Sequence, residues 1–416
     1  MRVTQLFTKT LKEAPADEVA KNAQLLIRAG FIYKEMAGVY AYLPLGKKVL
    51  EKIIQIIREE MDAIGGNEIS LTALQSSDVW QASGRWSDDV MDVWFKTRLA
   101  NGSELGLAPT HEEPLTKLMK NYIHSYKDLP VYPYQFQIKF RNELRSKSGL
   151  MRGREFWMKD LYSFSRTQEE HDTFYEKTAV AYGKVFDRLG LGEITYKTFA
   201  SGGSFAKFSH EFQTISDVGE DTIYLDRAKG IAVNEEVYTD DVLAELGLQR
   251  GQLEEVKAVE VGNIFTLGTR FSEPLELRYT SEQGESLPVL MGSYGIGPSR
   301  LMGLIAEHFA DEKGLVWPRA VAPYTVYLVS IGNVIEQANE VYDALQNAGL
   351  EVLFDDRDER PGAKFADAEL IGIPYRVTIS ERLLGGGDGQ LKVELTPRSG
   401  GETDILTLDE LIAKIA

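Results

Sequence analysis

Hydrophobic residues in the first half of the chain are spaced so as to predict a long helix followed by a β-hairpin. From residue 45 to residue 64 apolar side chains recur at helical intervals, with Pro44 before the run and Gly65-Gly66 after it. Residues 68–71 are typical of a short strand. Two β-rich runs, residues 132–140 and 152–164, flank a polar loop, so we expect them to pair as a long hairpin.

The pattern changes beyond Pro323 and predicts alternating strands and helices. Residues 324–331 form a nearly continuous apolar run that is typical of a buried parallel strand. Helices are expected over 334–348 and 363–371, and further strands over 350–354 and 375–380. This alternation predicts a small α/β domain of about a hundred residues that begins near residues 317–323. The charged, leucine-containing stretch 235–256 is expected to be a helical connection.

Length and composition limit the class of protein. The chain has 416 residues, of which 43% are hydrophobic and 26% charged, which is typical of a globular protein with two or three domains. No apolar run is long enough to span a membrane, and the N-terminus lacks the apolar core of a signal peptide. The absence of cysteine excludes disulfides and thiolate-bound zinc, and the five histidines lack zinc-type spacing. These features favour a cytoplasmic location.

The net charge of −17 is unusual for a protein that binds nucleic acid. Phosphate groups are normally contacted by clusters of lysine and arginine. Because the overall charge says little about any single face, nucleic-acid binding would here depend on local basic patches.

The predicted hairpin is the strongest candidate for a functional site. Side chains alternate along a strand, so Arg141 and Glu143 would share one face of its first strand. The same face of its second strand would carry Arg152, Arg154, Phe156, Met158 and Asp160. Guanidinium groups suit phosphate or carboxylate, and an aromatic ring can stack on a base. The alternative is a solvated hairpin with cross-strand ion pairs. It is disfavoured by four basic residues that occur in the loop region without an acidic one: Arg145, Lys147, Arg152 and Arg154.

A second candidate is the glycine-rich segment 291–300, in which Gly295 and Gly297 precede Arg300. Glycines allow another backbone or a ligand to approach closely. An arginine near a helix N-terminus is unfavourable for the helix dipole, so an anionic partner is expected there. Close packing of a helix on a strand would explain the glycines equally well. The chain has no P-loop sequence, which argues against P-loop ATP chemistry.

These two segments resemble motifs 2 and 3 of the class II aminoacyl-tRNA synthetases. Matching segments in the same order, from residue 1 to about residue 411, are similar to the bacterial prolyl type. The resemblance implies a fold of mixed α/β and α+β class. A catalytic domain, an antiparallel sheet flanked by helices, would span residues 1–320, and a small α/β anticodon-binding domain residues 321–416. Motif 1 would lie at about 45–75, motif 2 at about 136–164 and motif 3 at about 288–310.

The resemblance implies a site for ATP. Arg141 would bind the α-phosphate and the amino-acid carboxylate, and Glu143 the adenine amino group. Arg152 would reach the γ-phosphate and Phe156 would stack on adenine. Arg300 would hold the γ-phosphate from the side opposite Phe156. Mg²⁺ would accompany ATP, because no protein motif indicates a metal site of its own.

The resemblance also implies a proline pocket around the Thr110-x-Glu112 loop. A hydroxyl and a carboxylate suit the secondary ammonium of proline, which has only two N–H donors. Thr110 with Glu113 also fits a helix capping box, and both interpretations can hold together.

Further residues of this pocket are expected in the segment Ser209-His210-Glu211-Phe212-Gln213. Ser209 and His210 would line the proline pocket together with Arg141 and Gly295, and Gln213 would lie nearest ATP. A lone histidine is otherwise more often structural. Segments 80–86 and 261–265 are similar to the same family.

Residues 355–367 resemble the anticodon-binding domain, and the likeness continues to Pro374. Arg357, Arg360 and Lys364 are candidate contacts to tRNA, as are Arg145 and Lys147 in the hairpin loop. Taken alone, residues 355–367 would more simply be a charged surface loop.

The chain departs from the family pattern in several places. Thr72 replaces the proline that ends motif 1, which affects the homodimer expected from the family. The glycine-rich approach to Ser209 is replaced by residues 205–208, Ser293 replaces a cysteine, and Ala108 a glycine. Only residues 236–257 occupy the place of the large editing domain of many bacterial members. We therefore expect no editing in cis, so that mischarged alanine is tolerated or cleared by a separate trans-editing factor.

The expected activity is ATP-dependent activation of L-proline and its transfer to tRNA(Pro). A non-catalytic paralogue that binds tRNA or regulates is the main alternative, and the intact Arg141, Glu143, Phe156 and Arg300 argue against it. A class II ligase for threonine, histidine or glycine is a second alternative, which the Thr110-x-Glu112 loop disfavours.

Overall fold

A computed structural model describes residues 1–144, 146, 148–202, 207–384 and 390–416. The α-helices are, in chain order, α1 (Lys21–Arg28), α2 (Pro44–Ala63), α3 (Ser77–Ala82), α4 (Glu112–Met119), α5 (Gln168–Arg188), α6 (Asp240–Glu245), α7 (Pro298–His308), α8 (Ile335–Asn347), α9 (Pro361–Ile371), α10 (Glu381–Leu384) and α11 (Leu408–Ile415). None of the helices in these residues is long and apolar enough to cross a membrane.

The strands are β1 (Ile32–Met36), β2 (Val39–Tyr42), β3 (Asn67–Glu68), β4 (Leu74–Ser76), β5 (Phe95–Arg98), β6 (Glu104–Leu107), β7 (Pro133–Phe140), β8 (Glu155–Ser165), β9 (Thr195–Ser201), β10 (Phe208–Ile215), β11 (Asp221–Asp226), β12 (Ile231–Asn234), β13 (Glu254–Gly268), β14 (Arg278–Thr280), β15 (Ser286–Pro288), β16 (Leu290–Ile296), β17 (Val326–Ile331), β18 (Val352–Asp355), β19 (Tyr375–Ser380), β20 (Lys392–Pro397) and β21 (Asp404–Thr407).

A large, mostly antiparallel sheet forms the centre of the first 320 residues. Its strand order is β10-β9-β12-β11-β13-β16-β8-β7-β3, and β10 also pairs with β13. The predicted hairpin is confirmed as β7 and β8, which pair from Tyr134↔Leu161 to Phe140↔Glu155. Helix α2 packs against both α5 and α7, and α5 and α7 contact the strands of the sheet. The opposite face is left for a cleft.

Helix α2 confirms the predicted long helix almost to the residue. Pro44 occupies its first turn, where the missing N–H costs nothing. Its apolar stripe, including Val49, Leu50, Ile53 and Ile57, is completely buried. The strand expected at 68–71 is shorter than predicted, since β3 covers Asn67–Glu68 only. Beyond it, Leu71 instead donates its N–H to the Gln135 side chain at 2.9 Å.

The C-terminal part is a five-stranded sheet with order β18-β17-β19-β20-β21. Strand β17 is parallel to both neighbours, as its apolar sequence predicts. Helices α8 and α9 and strands β18 and β19 also confirm the predicted alternation. Strands β20 and β21 and helix α11 were not predicted. The two strands are short and only partly buried, so their sequences show little periodicity.

The stretch predicted as a helical connection is only partly helical. It contains α6, which is six residues long, and two single turns of 3₁₀ helix at Glu235–Val237 and Arg250–Gln252. Strand β13 already begins at Glu254. Leu243 and Leu248 are buried against Val233, so the leucines of this stretch fill a small local core.

Candidate active site

A row of side chains crosses the open face of the large sheet. Five residues on neighbouring strands lie directly opposite one another in register: Gln135, Asp160, Gly295, Asn263 and Glu211. Because side chains alternate along each strand, the four that have side chains project to one face. A Cβ at Gly295 would lie 2.9 Å from the Asn263 Oδ1 atom, so this glycine keeps the floor of the cleft open.

Three adjoining cavities lie along this face, and Arg141 and Glu143 line all three. The first is also bordered by Phe156, the glycine-rich strand and Arg300. The second extends past Arg152 and Glu260. The third, of about 340 Å³, extends towards Thr110 and Glu112. The structure therefore brings the two predicted motifs and the Thr110 loop to one cleft.

Arg141 follows β7 and lies in the middle of the cleft. Its Nε donates to the Pro109 carbonyl at 3.2 Å, and its guanidinium lies 5.4 Å from the centre of the Phe156 ring. In the part of the chain that the structure describes, the two terminal amino groups of Arg141 have no hydrogen-bond partner. Burial and the nearby Arg300 lower the pKa of Arg141. Such a cation is available to an oxyanion.

Arg300 lies in the first turn of α7, which confirms that an arginine opens this helix. Its Nε donates to the Met151 carbonyl at 2.8 Å, and its Nη1 lies 3.3 Å from the Glu260 carboxylate. The side chain is thus held at the N-terminal end of a helix, where anions are favoured.

Arg152 and Arg154 are not on the strand where the sequence pattern placed them, because β8 begins only at Glu155. Arg152 still reaches the cleft, and its Nε donates to Glu143 at 3.0 Å and its Nη1 to Glu220 at 2.5 Å. Arg154 points elsewhere and donates to the carbonyls of Glu143 and Ala37. Its predicted place on the cleft face is therefore wrong.

Thr110 and Glu112 form a hydrogen-bonded pair at the mouth of the third cavity. The Thr110 hydroxyl donates to the Glu112 carboxylate at 2.7 Å. The predicted capping box is absent: the residue before α4 is His111, and its side chain makes no capping bond. Glu112 lies in the first helical turn, where the helix dipole favours a negative charge.

A buried polar network supports the Thr110 loop from below. Lys139 donates to His111 Nδ1 at 2.5 Å and to Asp160 at 3.0 Å. His111 Nε2 lies 3.0 Å from the Thr72 carbonyl and must donate to it, which leaves Nδ1 as an acceptor. Burial and the adjacent Lys139 lower the pKa of His111 to about 4, so the ring is neutral. Thr72 stands where the family has the proline that ends motif 1, and its carbonyl connects this segment to the Thr110 loop.

His210 does not lie in the cleft, contrary to the prediction. Its Nδ1 is 2.7 Å from the Tyr175 hydroxyl of α5, on the helix side of the sheet. Burial lowers its pKa to about 3. Glu211, the next residue, occupies the cleft face instead, because successive side chains of a strand point to opposite faces. His210 therefore has a structural role, which was the alternative interpretation of a lone histidine.

Ser209 and Gln213 share the Glu211 face but are engaged with protein groups. The Ser209 hydroxyl donates to the Ser201 carbonyl at 2.8 Å. The Gln213 amide donates to Glu211 at 2.8 Å and to Asp221 at 2.9 Å. Asp221 lines the second cavity, so Gln213 lies one residue behind the cavity wall.

Three acidic side chains lie near this edge: Glu211, Asp221 and Glu260. The sequence named Glu211 only as part of the segment 209–213 expected to line the pocket, and it did not single out Asp221 or Glu260. Burial, followed by the charge of Glu260, raises the pKa of Glu211 to about 7. Glu260 lines two cavities and accepts a hydrogen bond from Asn263 at 2.9 Å. Asn263 lies in a family-like segment and could have been noticed there.

The residues predicted to contact tRNA are only partly exposed. Arg357 is paired with Asp355 at 2.6 Å and with Asp367 at 2.8 Å. Lys364 is 4% exposed and donates to the carbonyls of Ser330 and Asp355, so its ammonium cannot meet a phosphate in this conformation.

Arg360 is exposed just before α9 and remains a candidate for tRNA contact. The other two candidates, Arg145 and Lys147, lie outside the residues that the structure describes.

Comparison with protein families finds two matches. Residues 95–309 match the tRNA synthetase class II core domain (G, H, P, S and T). Residues 325–416 match the anticodon binding domain.

Full-length relatives are found among curated proteins. The chain is 38% identical over 444 residues to a proline–tRNA ligase of Hyphomonas neptunium, covering 100% of this chain and 99% of the relative. It is 37% identical over 443 residues to that of Agrobacterium fabrum, with the same coverage. A proline–tRNA ligase of a Geobacillus species is 34% identical, again over 100% of this chain and 99% of the relative, but its alignment extends over 570 positions. That relative therefore carries a substantial length of sequence that this chain lacks.

Solved structures share the fold. A prolyl-tRNA synthetase from Giardia lamblia, in complex with prolyl-adenylate, superposes with a TM-score of 0.76 at 20% identity, covering 93% of this chain and 74% of that one. One from Cryptosporidium parvum, complexed with halofuginone and AMPPNP, gives 0.77 at 19% identity, covering 95% and 75%.

Proposed function

The chain belongs to the proline–tRNA ligase family of class II aminoacyl-tRNA synthetases, and from this premise we propose how its cleft activates proline. The family membership makes it an ATP-dependent ligase that joins proline to tRNA. Nothing in its relatives supports a non-catalytic paralogue. The assignments of individual residues that follow are our proposal.

The observation that carries the proposal is the position of Arg141, which lines all three cavities and whose two terminal amino groups have no partner among the described residues. We assign ATP to the first two cavities and proline to the third. Phe156 stacks on the adenine and Glu143 accepts a hydrogen bond from its amino group. Arg152 and Arg300 bind the β- and γ-phosphates.

Proline binds with its ammonium between Thr110 and Glu112 and its carboxylate towards Arg141. Gly295 leaves room for the substrate, because a side chain there would collide with Asn263. His210 is left out of this pocket, since its ring is bonded to Tyr175. Ser209 contributes by fixing strand β10, and Gln213 by holding Asp221 at the cavity wall.

In the first step the proline carboxylate attacks the α-phosphorus, and pyrophosphate leaves. Arg141 stabilises the charge that develops on the α-phosphate and aligns the carboxylate with it. The terminal hydroxyl of tRNA then attacks the prolyl carbonyl, and AMP leaves. Positioning and charge neutralisation account for the rate, without a protein nucleophile.

Mg²⁺ accompanies ATP in this proposal. The Glu260 carboxylate lines both cavities assigned to ATP, and such hard oxygen ligands suit Mg²⁺ when combined with phosphate oxygens. Bound there, the ion would neutralise phosphate charge.

At the level of the whole chain, we propose a catalytic domain over residues 1–320 and an anticodon-binding domain over 321–416. The tRNA(Pro) would be contacted by Arg360 and by the hairpin loop with Arg145 and Lys147. We further propose a homodimer in the cytoplasm. The short 236–257 connection supports the absence of a cis-editing domain, so any clearance of mischarged alanine would fall to a separate factor.

Replacing Arg141 tests the residue assignments. We expect R141Q to lower kcat/KM for proline-dependent exchange of pyrophosphate into ATP by about 10²–10³-fold, because the charge on the α-phosphate loses its preorganised donor. A matched control is R227Q, since Arg227 pairs with Glu254 on an exposed turn. Equal activity of R141Q and R227Q would refute the assignment.

A further inference from the structure

Arg85 lies between two carboxylates next to the Thr110 loop. Its Nη1 atom is 3.0 and 3.1 Å from the two carboxylate oxygens of Glu113 and 3.4 Å from Glu112. Glu113 is completely buried, and its Oε1 also accepts a hydrogen bond from Ser83 at 2.7 Å. One guanidinium therefore serves two neighbouring acids.

The Arg85 side chain is fixed by its surroundings. Its guanidinium lies 5.2 Å from the centre of the Trp80 ring and 5.3 Å from that of Phe271. Its side chain is only 18% exposed. It lines the third cavity and also an adjoining one that extends to Phe265 and Phe271. A half-buried guanidinium that lies against two aromatic rings has little freedom to leave its carboxylates.

The charges of this group leave one negative charge uncompensated. With both acids ionised, Glu112, Glu113 and Arg85 together carry a net charge of −1. Glu112 also faces charged or titratable groups from the packed elements, namely His111, Lys139, Arg141, Asp160 and Tyr162. Lys139 and Asp160 are paired at 2.9 Å and His111 is neutral, so these three add no net charge. Arg141 adds one positive charge, which the proposed function assigns to the carboxylate of proline and the α-phosphate.

We propose that Arg85 is a positioning residue for proline: it neutralises buried Glu113, so that Glu112 keeps its negative charge for the substrate ammonium. The inference rests on the proposed function, because it assumes that Glu112 receives the ammonium of proline. Without Arg85, two adjacent carboxylates would compete for one cation or share a proton. Without Glu113, Arg85 would pair with Glu112, and its positive charge would weaken the attraction of Glu112 for the substrate ammonium.

The titration of Glu113 supports this arrangement. Burial raises the pKa of Glu113 to about 7, Arg85 opposes that rise, and Glu112 adds to it. As the pH falls below about 7, Glu113 takes up a proton and becomes neutral. Arg85 is then expected to pair with Glu112 instead. The KM for proline is therefore expected to fall as the pH rises from 6 to 8, and E113Q should lack this dependence.

A double-mutant cycle distinguishes charge balance from simple packing. R85Q and E113Q should each raise the KM for proline about tenfold or more, while the KM for ATP changes less than about twofold. The double variant R85Q/E113Q restores a net charge of −1 and should return the KM for proline to within a few-fold of the original chain. R85K, which keeps the charge, should lie between the original chain and R85Q.

The matched control is R398Q. Arg398 is a buried arginine that, like Arg85, contacts both oxygens of a carboxylate, that of Asp311, but it lies in the C-terminal part of the chain. Its loss should lower thermal stability and leave the KM for proline unchanged. If R85Q does not fold, R85K, E113Q and the double variant still carry the comparison.

Two results would overturn the inference: a double variant at least as impaired as the product of the single effects, or parallel increases of both KM values. Failure of the proposed role of Glu112 gives a different result, because E112Q would then leave the KM for proline unchanged.

Discussion

Within the described part of the chain, Arg141 differs from Arg152 and Arg300 in that both of its terminal amino groups lack a hydrogen-bond partner. Arg152 is shared between Glu143 and Glu220, and Arg300 is held by backbone and by Glu260. Arg141 is half-buried in the cleft, and its free donors can form charge-assisted hydrogen bonds to a bound oxyanion. This is the property expected of a group reserved for the substrate.

His210 gives a prediction at the residue scale. Because its ring faces Tyr175 on the helix side, H210N should change the KM for proline by less than about threefold. It should lower the melting temperature modestly, since the buried Tyr175 hydroxyl loses one of its two partners and keeps the Ile264 carbonyl. Steady-state exchange kinetics and thermal denaturation test both parts. A rise of tenfold or more in the KM for proline, without loss of stability, would show that His210 does belong to the proline pocket.

Sequence alone found Arg141, Glu143, Phe156, Arg300, Thr110 and Glu112, and the structure brings all six around one cleft. It named Arg85 and Glu211 only within the segments 80–86 and 209–213, without a role of their own, and it did not name Glu260. Their positions depend on which residues face each other across strands far apart in the chain, such as Glu211↔Asn263 and Asn263↔Gly295. Local periodicity does not encode the register between distant strands. It also does not fix where a strand begins, and Arg152 and Arg154 were therefore placed on β8, which begins at Glu155.

At the scale of elements, helix α2 illustrates how closely the catalytic part is packed. Gly46 in its first turns lies against the backbone of Phe31, and a Cβ there would come within 2.1 Å of the Phe31 carbonyl oxygen. Long elements such as α2 and β17 were predictable because many apolar residues along each of them follow one consistent pattern. Short elements such as β20, β21 and α11 were not.

Replacement of Gly46 by alanine tests this contact. In an open helix the change would stabilise by about 1 kcal/mol. Here the collision with backbone should cost about 1–3 kcal/mol more than that gain and displace α2. We therefore expect G46A to have a lower free energy of unfolding than the original chain in chemical denaturation. G183A in α5, where a Cβ would meet nothing within 4 Å, is the matched control and should be stabilised.

At the scale of the whole molecule, the N-terminal segment is attached to the C-terminal sheet. Thr4 donates to Asp356 at 2.7 Å, Thr10 to Asp367 at 2.6 Å, and Arg2 pairs with Phe354 through a parallel bridge. The same acidic residues belong to the segment that resembled an anticodon-binding loop. Its acidic groups are thus partly engaged within the chain.

The chain length gives a prediction about fidelity. The 570-position alignment to the Geobacillus relative, against 416 residues here, fits the absence of an inserted editing domain. Alanine is smaller than proline, and apolar pockets discriminate against smaller side chains only about 10–200-fold. We expect measurable alanine-dependent exchange and no hydrolysis of Ala-tRNA(Pro) above the uncatalysed rate. Rapid deacylation by the purified chain would contradict the account.

The most direct test of the central claim is exchange of labelled pyrophosphate into ATP by the purified chain, with each amino acid supplied in turn. We expect strong exchange with proline, weak exchange with alanine, and none above background with threonine, histidine or glycine. Exchange driven by one of these three in preference to proline, or no exchange with any amino acid, would contradict it.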